Sequence, residues 1–135
     1  MRIGIANAAE VDALWPKVAT RVQDSCSKTG GDMSSGDLWQ MCRSGSAFLV
    51  AVLDDEGQPI ATIILQFQNW SGKSVLRCLS IAGEEMSFWL PQAMEFASKM
   101  ARENGASCLV ADGREGWARV FPGAKRLRVT YEIEV

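Results

Sequence analysis

Apolar residues recur along the chain with two periods, one typical of α-helices and one typical of β-strands. The helical period predicts one helix over Glu10–Cys26 and another over Ser87–Asn104. Short helices are predicted from capping and stop residues over 34–45 and over Arg114–Phe121. The face of the 87–104 helix expected to be buried consists of Leu90, Met94, Ala97 and Ala101. Strands are predicted over Arg2–Asn7, Ser46–Asp54, Pro59–Trp70, Ser74–Ile81, Ala106–Gly113 and Lys125–Val135.

The predicted order is β-α-α-β-β-β-α-β-α-β, in a single domain over residues 1–135. The turns "DEGQ" and "SGK" join three successive strands and favour antiparallel hairpins. The long helix is a crossover connection, so the Ser74–Ile81 strand should lie parallel to the strand near Cys108–Asp112. We therefore expect an α+β fold with a central mixed, mostly antiparallel sheet flanked by helices.

Composition limits the classes of partner. With 47% hydrophobic residues the chain can bury a core, and a net charge of −2 gives no general attraction to nucleic acid. The longest apolar run, Ala47–Leu53, suits a buried strand and is too short to cross a bilayer, and the first residues lack a signal peptide's apolar core. We expect neither a nucleic-acid nor a membrane partner.

Histidine is absent, and the four cysteines, Cys26, Cys42, Cys78 and Cys108, include no closely spaced pair. Zinc sites need such pairs, so we expect no metal site and reduced thiols in a reducing compartment. Catalysis without histidine would have to use carboxylates, lysines, backbone groups, water or the single tyrosine, Tyr131.

The order of elements resembles the GNAT family of N-acetyltransferases over essentially the whole chain. The last third resembles more closely the small GNAT-like proteins of tailed bacteriophages and prophages. The positions that carry this second resemblance are Gly105-Ala106, Gly113-Arg114, Gly116-Trp117, Arg119 and Gly123.

The GNAT resemblance implies where a coenzyme would bind. In that family two central strands separate to admit the pantetheine arm of acetyl-CoA, and the following helix directs its N-terminal N–H groups at the pyrophosphate. In this chain the corresponding strand and junction are Leu76–Gly83, so the backbone candidates for contacting acetyl-CoA are Leu79, Ile81, Ala82 and Gly83.

The junction departs from the family's pattern. GNAT enzymes carry Q/R-x-x-G-x-G/A there, whereas this chain has "AGEEMS", with one glycine, no basic residue, and Glu84 and Glu85. At the position where the family often carries a tyrosine that returns a proton to the coenzyme's thiolate, this chain has Arg119. The catalytic candidates are therefore two carboxylates, Glu84 and Glu85, and the single tyrosine, Tyr131. The two glutamates could instead only complement the helix dipole. The departure favours a lost or much altered acyl-CoA site, and binding through backbone amides alone is the alternative.

Four further side chains are candidates for contacting a ligand or a partner protein: Arg114, Trp117, Arg119 and Trp70. Trp117 could clamp a ligand together with the two arginines, or it could only anchor a short helix while the arginines meet solvent. Trp70 could line a cleft or only end a hairpin. Trp89, at the start of the long helix, could be an interface anchor because tryptophan is enriched at binding hot spots, but core packing is the default for any single tryptophan.

Two functions are compatible with these features. The first is a phage virion or assembly protein that acts through contacts with other phage proteins or with copies of itself. Its location would be the virion or the host cytoplasm, and its acyl-CoA chemistry would be vestigial, without a cofactor. The second is a working N-acetyltransferase that uses acetyl-CoA to modify an amine of a host or phage protein.

Overall fold

The computed structural model of the chain describes residues 1–29, 31–113 and 115–135. Its elements follow one another as β1 (Arg2–Ile5), α1 (Ala8–Lys28), α2 (Ser35–Ser44), β2 (Phe48–Leu53), β3 (Pro59–Trp70), β4 (Lys73–Gly83), α3 (Met86–Glu103), β5 (Cys108–Ala111) and α4 (Trp117–Val120). Across these described residues, no helix is both long enough and apolar enough to cross a membrane.

The strands form one sheet in the order β1-β2-β3-β4-β5. The first four strands pair antiparallel with their neighbours, and β4 pairs with β5 in parallel. The prediction of one parallel pair across the long helix is therefore confirmed. The geometry follows from the connections, because hairpin turns reverse the chain whereas a helical crossover returns it in the same direction.

The helices cover both faces of the sheet. One face packs against α1 and α2 around Val18, Val22, Leu38 and Ile64. The other face packs against α3 around residues that include Trp89. The central strands are apolar on both faces because helices cover both faces. In β2, for example, all six residues, FLVAVL, are apolar.

Local sequence fixes the ends of the helices on the first face. Asn7 caps α1 in a reciprocal capping box with Glu10, and Ser34 caps α2 in the same way with Asp37. Gly45 ends α2 in the left-handed conformation, with φ 84°, which glycine adopts without steric cost.

The predicted strand Lys125–Val135 is wrong. Residues 125–135 adopt no regular secondary structure, and within the described chain they form no backbone hydrogen bond. Alternation of apolar and polar residues makes a segment suitable for a sheet, but a strand also requires a neighbour to accept its hydrogen bonds. The side chains of this segment are consequently exposed.

Two helical predictions need smaller corrections. The buried face of α3 includes Trp89 and Ala93 and leaves Met94 only partly buried, because the helix is rotated slightly from the expected orientation. Trp89 is fully buried, so it is not an exposed interface anchor. The last helix, α4, is shorter than predicted, and Arg114 lies outside the described residues.

Candidate functional site

The parallel strands β4 and β5 separate part-way along β4. Their pairing joins Val75–Cys78 to Cys108–Ala111 and then stops, whereas β4 continues to Gly83. On the other side of β4 the register with β3 passes over Leu79, which forms a β-bulge. A bulge bends a strand and redirects its side chains, and because β5 ends at Ala111 the upper half of β4 has no partner in β5, which leaves a cleft.

The cleft contains a cavity of about 270 Å³. One wall is β4 with the junction after it, and the opposite wall comes from the end of β5 and from Trp117. All four residues predicted to contact a coenzyme lie on the first wall: Leu79, Ile81, Ala82 and Gly83.

A third wall comes from α1, which the sequence did not lead us to expect. Arg21, Asp24, Ser25 and Lys28 line the cavity from this helix, together with Thr29 just after it. Their spacing of three and four residues places them on one face of α1. In the sequence, this polar stripe has the pattern of an ordinary solvated helix face, so no sequence signal identified it as part of a site.

Polar contacts hold α1 against the sheet at the cleft. The Arg21 Nη1 group donates to the backbone oxygens of Pro59 and Ile60, at 3.3 Å each. The hydroxyl of the buried Ser80 donates to the Ser25 hydroxyl at 3.2 Å. The Arg21 bonds use its Nη1 group and tie α1 to the start of β3, and the Ser80 bond ties α1 to β4.

The junction between β4 and α3 is closely packed. A Cβ atom on Gly83 would lie 2.6 Å from Ala61 Cβ, so only glycine fits beside β3 at this point. The Glu84 N–H donates to the Ile60 oxygen at 3.3 Å, and the Glu84 oxygen accepts from Trp89 Nε1 at 2.7 Å. Both backbone polar groups of Glu84 are therefore already used within the protein.

Negative charge surrounds the uncapped start of α3. Glu85 is the N-cap residue in a left-handed conformation, with φ 53°, and its side chain makes no capping hydrogen bond. The side chains of Glu84 and Glu85 are both exposed, and Glu84 also lines the cavity. The junction thus has the place of a pyrophosphate cradle, but its charge does not fit a pyrophosphate.

The titratable groups inside the cleft are poorly suited to nucleophilic catalysis. Burial raises the pKa of the Cys78 thiol from 9.0 to about 12, and its Sγ–H donates to the Ser80 oxygen at 3.4 Å. The thiol is therefore protonated near neutral pH, whereas the thiolate is the nucleophilic form. Asp112 forms an ion pair with Arg77 where β4 and β5 begin to separate.

The remaining sequence candidates are dispersed. Trp117 lines the cavity and packs on Gly113, where an added Cβ would lie 3.0 Å from Trp117 Cγ. Arg119 is exposed on α4. Trp70 ends β3, where its ring lies 4.8 Å from the Arg128 guanidinium carbon. Tyr131 is 80% exposed and is not among the described residues that line the cavity.

Comparison with known proteins supports the fold. No protein-family model and no curated protein sequence matches the chain. Among solved structures, a probable acetyltransferase is similar with a TM-score of 0.75 at 20% identity, covering 100% of this chain and 98% of the other. A ribosomal-protein-alanine N-acetyltransferase from Brucella melitensis biovar Abortus 2308 has a TM-score of 0.70 at 12% identity, with 100% of both chains covered.

An aminoglycoside acetyltransferase from an uncultured soil metagenomic sample has a TM-score of 0.72 at 13% identity, covering 99% of this chain and 97% of the other. These identities are too low to transfer an activity, since one fold can carry many functions. The separated β4–β5 pair, the order of elements and these neighbours agree: the chain has the GNAT acetyltransferase fold.

Proposed function

We propose that the protein is a virion-associated or assembly protein of a tailed phage or prophage, acting through contacts with other proteins. In this proposal its acyl-CoA chemistry is lost or vestigial. The phage assignment is supported by the resemblance of the last third of the chain to small phage proteins. The loss of chemistry is supported by one structural observation, the junction between β4 and α3.

The junction opposes a bound pyrophosphate by charge. Glu84 and Glu85 are exposed beside the first turn of α3, where the phosphates of a coenzyme would have to lie. Each carboxylate within about 4–6 Å of a phosphate costs on the order of 1 kcal/mol. Two such pairs would weaken binding roughly 30-fold. Arg21 and Lys28 also line the cavity and offset this repulsion in part, although the Arg21 Nη1 group is already bonded to backbone oxygens.

Calorimetric titration with acetyl-CoA tests the loss of the coenzyme site. We expect no binding, or a dissociation constant well above about 1 μM, which corresponds to roughly −8 kcal/mol. Replacing Glu84→Gln together with Glu85→Gln should tighten any binding by removing the repulsion. Glu95→Gln with Glu103→Gln is the matched control, because it removes the same charge from exposed positions further along α3.

Two results would contradict this account of the junction. Micromolar or tighter binding by the unaltered protein would show that backbone amides suffice for the coenzyme. Weaker binding by the Glu84→Gln, Glu85→Gln variant would show that the carboxylates assist binding. The phage role has its own test, since the chain should co-purify from the natural host with phage particles or with their assembly intermediates. Finding it in neither fraction would refute that role.

A second candidate function is an acetyl-CoA-dependent N-acetyltransferase acting on an amine of a host or phage protein. The observation that favours it is the open cleft of about 270 Å³ between β4 and β5, which suits a narrow arm such as pantetheine. Acetyl transfer to a panel of lysine and N-terminal peptides, detected by mass shift, distinguishes it from the first proposal.

A further inference from the structure

We propose that residues 125–135 are a self-association strand, which pairs antiparallel with the same segment of a second copy around Thr130. This pairing does not depend on whether acetyl-CoA binds. It assigns a partner and a register to a segment that the monomer leaves exposed.

The first observation is that the segment is apolar on one side and unpaired. Leu127, Val129, Tyr131 and Ile133 alternate with polar residues, and their exposed fractions are 57, 51, 80 and 83%. Within the described chain no backbone hydrogen bond involves residues 125–135. Such an alternating segment with free N–H and C=O groups is suited to pairing with another strand.

The polar contacts between this segment and the rest of the described chain are weak. Arg126 forms an ion pair with Glu115 at 2.9 Å, with both side chains largely exposed. Arg128 lies over the ring of Trp70. Exposed contacts of this kind contribute little to stability, so both arginines are available to exchange partners.

The second observation is that the charges of the segment are complementary to themselves. If Thr130 faces Thr130 of the second copy, Arg128 faces Glu132 of that copy and Arg126 faces Glu134. The twofold axis repeats both pairs, so every charged residue on the polar face of the ribbon lies directly opposite a residue of opposite charge. Opposite charges directly across an antiparallel pair stabilise it, and like charges destabilise it.

The apolar face matches in the same register. Leu127 faces Ile133 of the second copy, and Val129 faces Tyr131. A slip of one residue would place charged side chains opposite apolar ones, and a slip of two residues would leave charges unpaired. The sequence therefore specifies one register, which a chance alternation of residue types would not do.

The third observation is that the sheet has a place for the ribbon. A two-stranded ribbon alone in water is marginally stable and needs an apolar support. The strand β5 is an edge of the described sheet. A groove of about 200 Å³ runs beside it, between β5 and α3, lined by Ser98, Ala101, Arg102, Ala106, Ser107, Cys108 and Leu109. In the proposed dimer the ribbon lies along this edge with apolar side chains against Ala101, Ala106 and Leu109.

Sedimentation velocity of the full chain over a range of concentrations tests the proposal. We expect a species of twice the 14.7 kDa chain mass. The double variant Arg126→Glu, Arg128→Glu should be monomeric, because every charged pair becomes a repulsive one. Glu132→Arg with Glu134→Arg should be monomeric for the same reason. In each case the dissociation constant should rise roughly tenfold or more.

Mixing the two double variants should restore a dimer containing one copy of each, because their segments carry opposite charges throughout. Combining all four substitutions in one chain should also restore the dimer, since the complementarity is then merely inverted. Lys17→Glu with Lys28→Glu on α1 is the matched control for charge and should leave association unchanged. Circular dichroism verifies that each variant is folded.

Several results would overturn the proposal. One is an unaltered protein that stays monomeric at every concentration, as it would if the segment paired only with its own β5. Another is a dimer that survives in both double variants. A third is a mixture of the two variants that remains monomeric, which would show that the charges do not face one another across the interface.

Discussion

Replacing Gly83 by alanine should destabilise the protein through a steric clash at the end of β4. An added Cβ would lie 2.6 Å from Ala61 Cβ, 2.8 Å from Ala61 Cα and 2.8 Å from the Ile60 oxygen. Two of these three atoms belong to the backbone of β3, so no side-chain rotation can remove the overlap. The backbone of Gly83 is outside the left-handed region, so the penalty is one of space alone.

The size of the effect follows from two opposing contributions. Overpacking in a well-packed region costs typically about 1–3 kcal/mol, and three contacts below 3.0 Å place this site at the upper end. Replacing glycine by alanine restricts the unfolded chain and returns about 0.4–1 kcal/mol. We therefore expect the free energy of unfolding to fall by roughly 2 kcal/mol.

Urea denaturation monitored by tryptophan fluorescence measures this change. Gly4→Ala is the matched control, because Gly4 also lies in a strand, and its added Cβ would meet no atom within 4 Å. It should be neutral or slightly stabilising. If Gly83→Ala were as stable as Gly4→Ala, β3 and β4 would not approach each other as closely as described, and the close packing at the end of β4 would be refuted.

Three further outcomes can be measured in the same way. Trp89→Phe removes the bond to the Glu84 oxygen and part of a buried ring, so unfolding should become easier by about 1–3 kcal/mol in urea titrations. Asp112→Asn should cost at most about 1 kcal/mol by removing the pair with Arg77, and repeating the titration in about 1 M salt should shrink the difference. Burial raises the pKa of Cys42 from 9.0 to about 11, so the folded state retains a proton that the unfolded state loses above pH 9. The free energy of unfolding should therefore fall between pH 9 and 11 by up to about 1.4 kcal/mol per pH unit, and it should fall less steeply in Cys42→Ala. Parallel pH curves for the two proteins would contradict this account.

The fold could be predicted from sequence where local patterns and connections agree. The hairpin turns and the long helix between Ser74–Ile81 and Cys108–Asp112 predicted both the antiparallel strands and the parallel pair. The pattern failed for 125–135, because alternation shows that a segment can form a strand but not that a partner lies beside it. Hydrogen-bond partners distant in sequence are not encoded in the periodicity of one segment.

The candidate site was predictable in part. Leu79, Ile81, Ala82 and Gly83 were placed at the cleft because the GNAT resemblance assigns the coenzyme to the strand that leads into the long helix. The α1 wall was missed because its polar residues are indistinguishable, in sequence, from a solvated helix face. For Trp89 the sequence left both an interface and a core position open, because its place at the start of a helix does not reveal that its ring turns inward to reach the Glu84 oxygen.

The short parallel pairing between β4 and β5 has a consequence for how the protein opens. The ladder between β3 and β4 runs from Ala61–Gly83 to the hairpin at Trp70–Lys73, whereas the ladder between β4 and β5 covers only Val75–Cys78 of β4. Backbone amides of β5 and α4 should therefore exchange with solvent deuterium through a local opening that leaves β2, β3 and β4 intact. In native-state hydrogen exchange the chain would behave as two cooperative units, and the one bordering the cleft would have the lower free energy of opening.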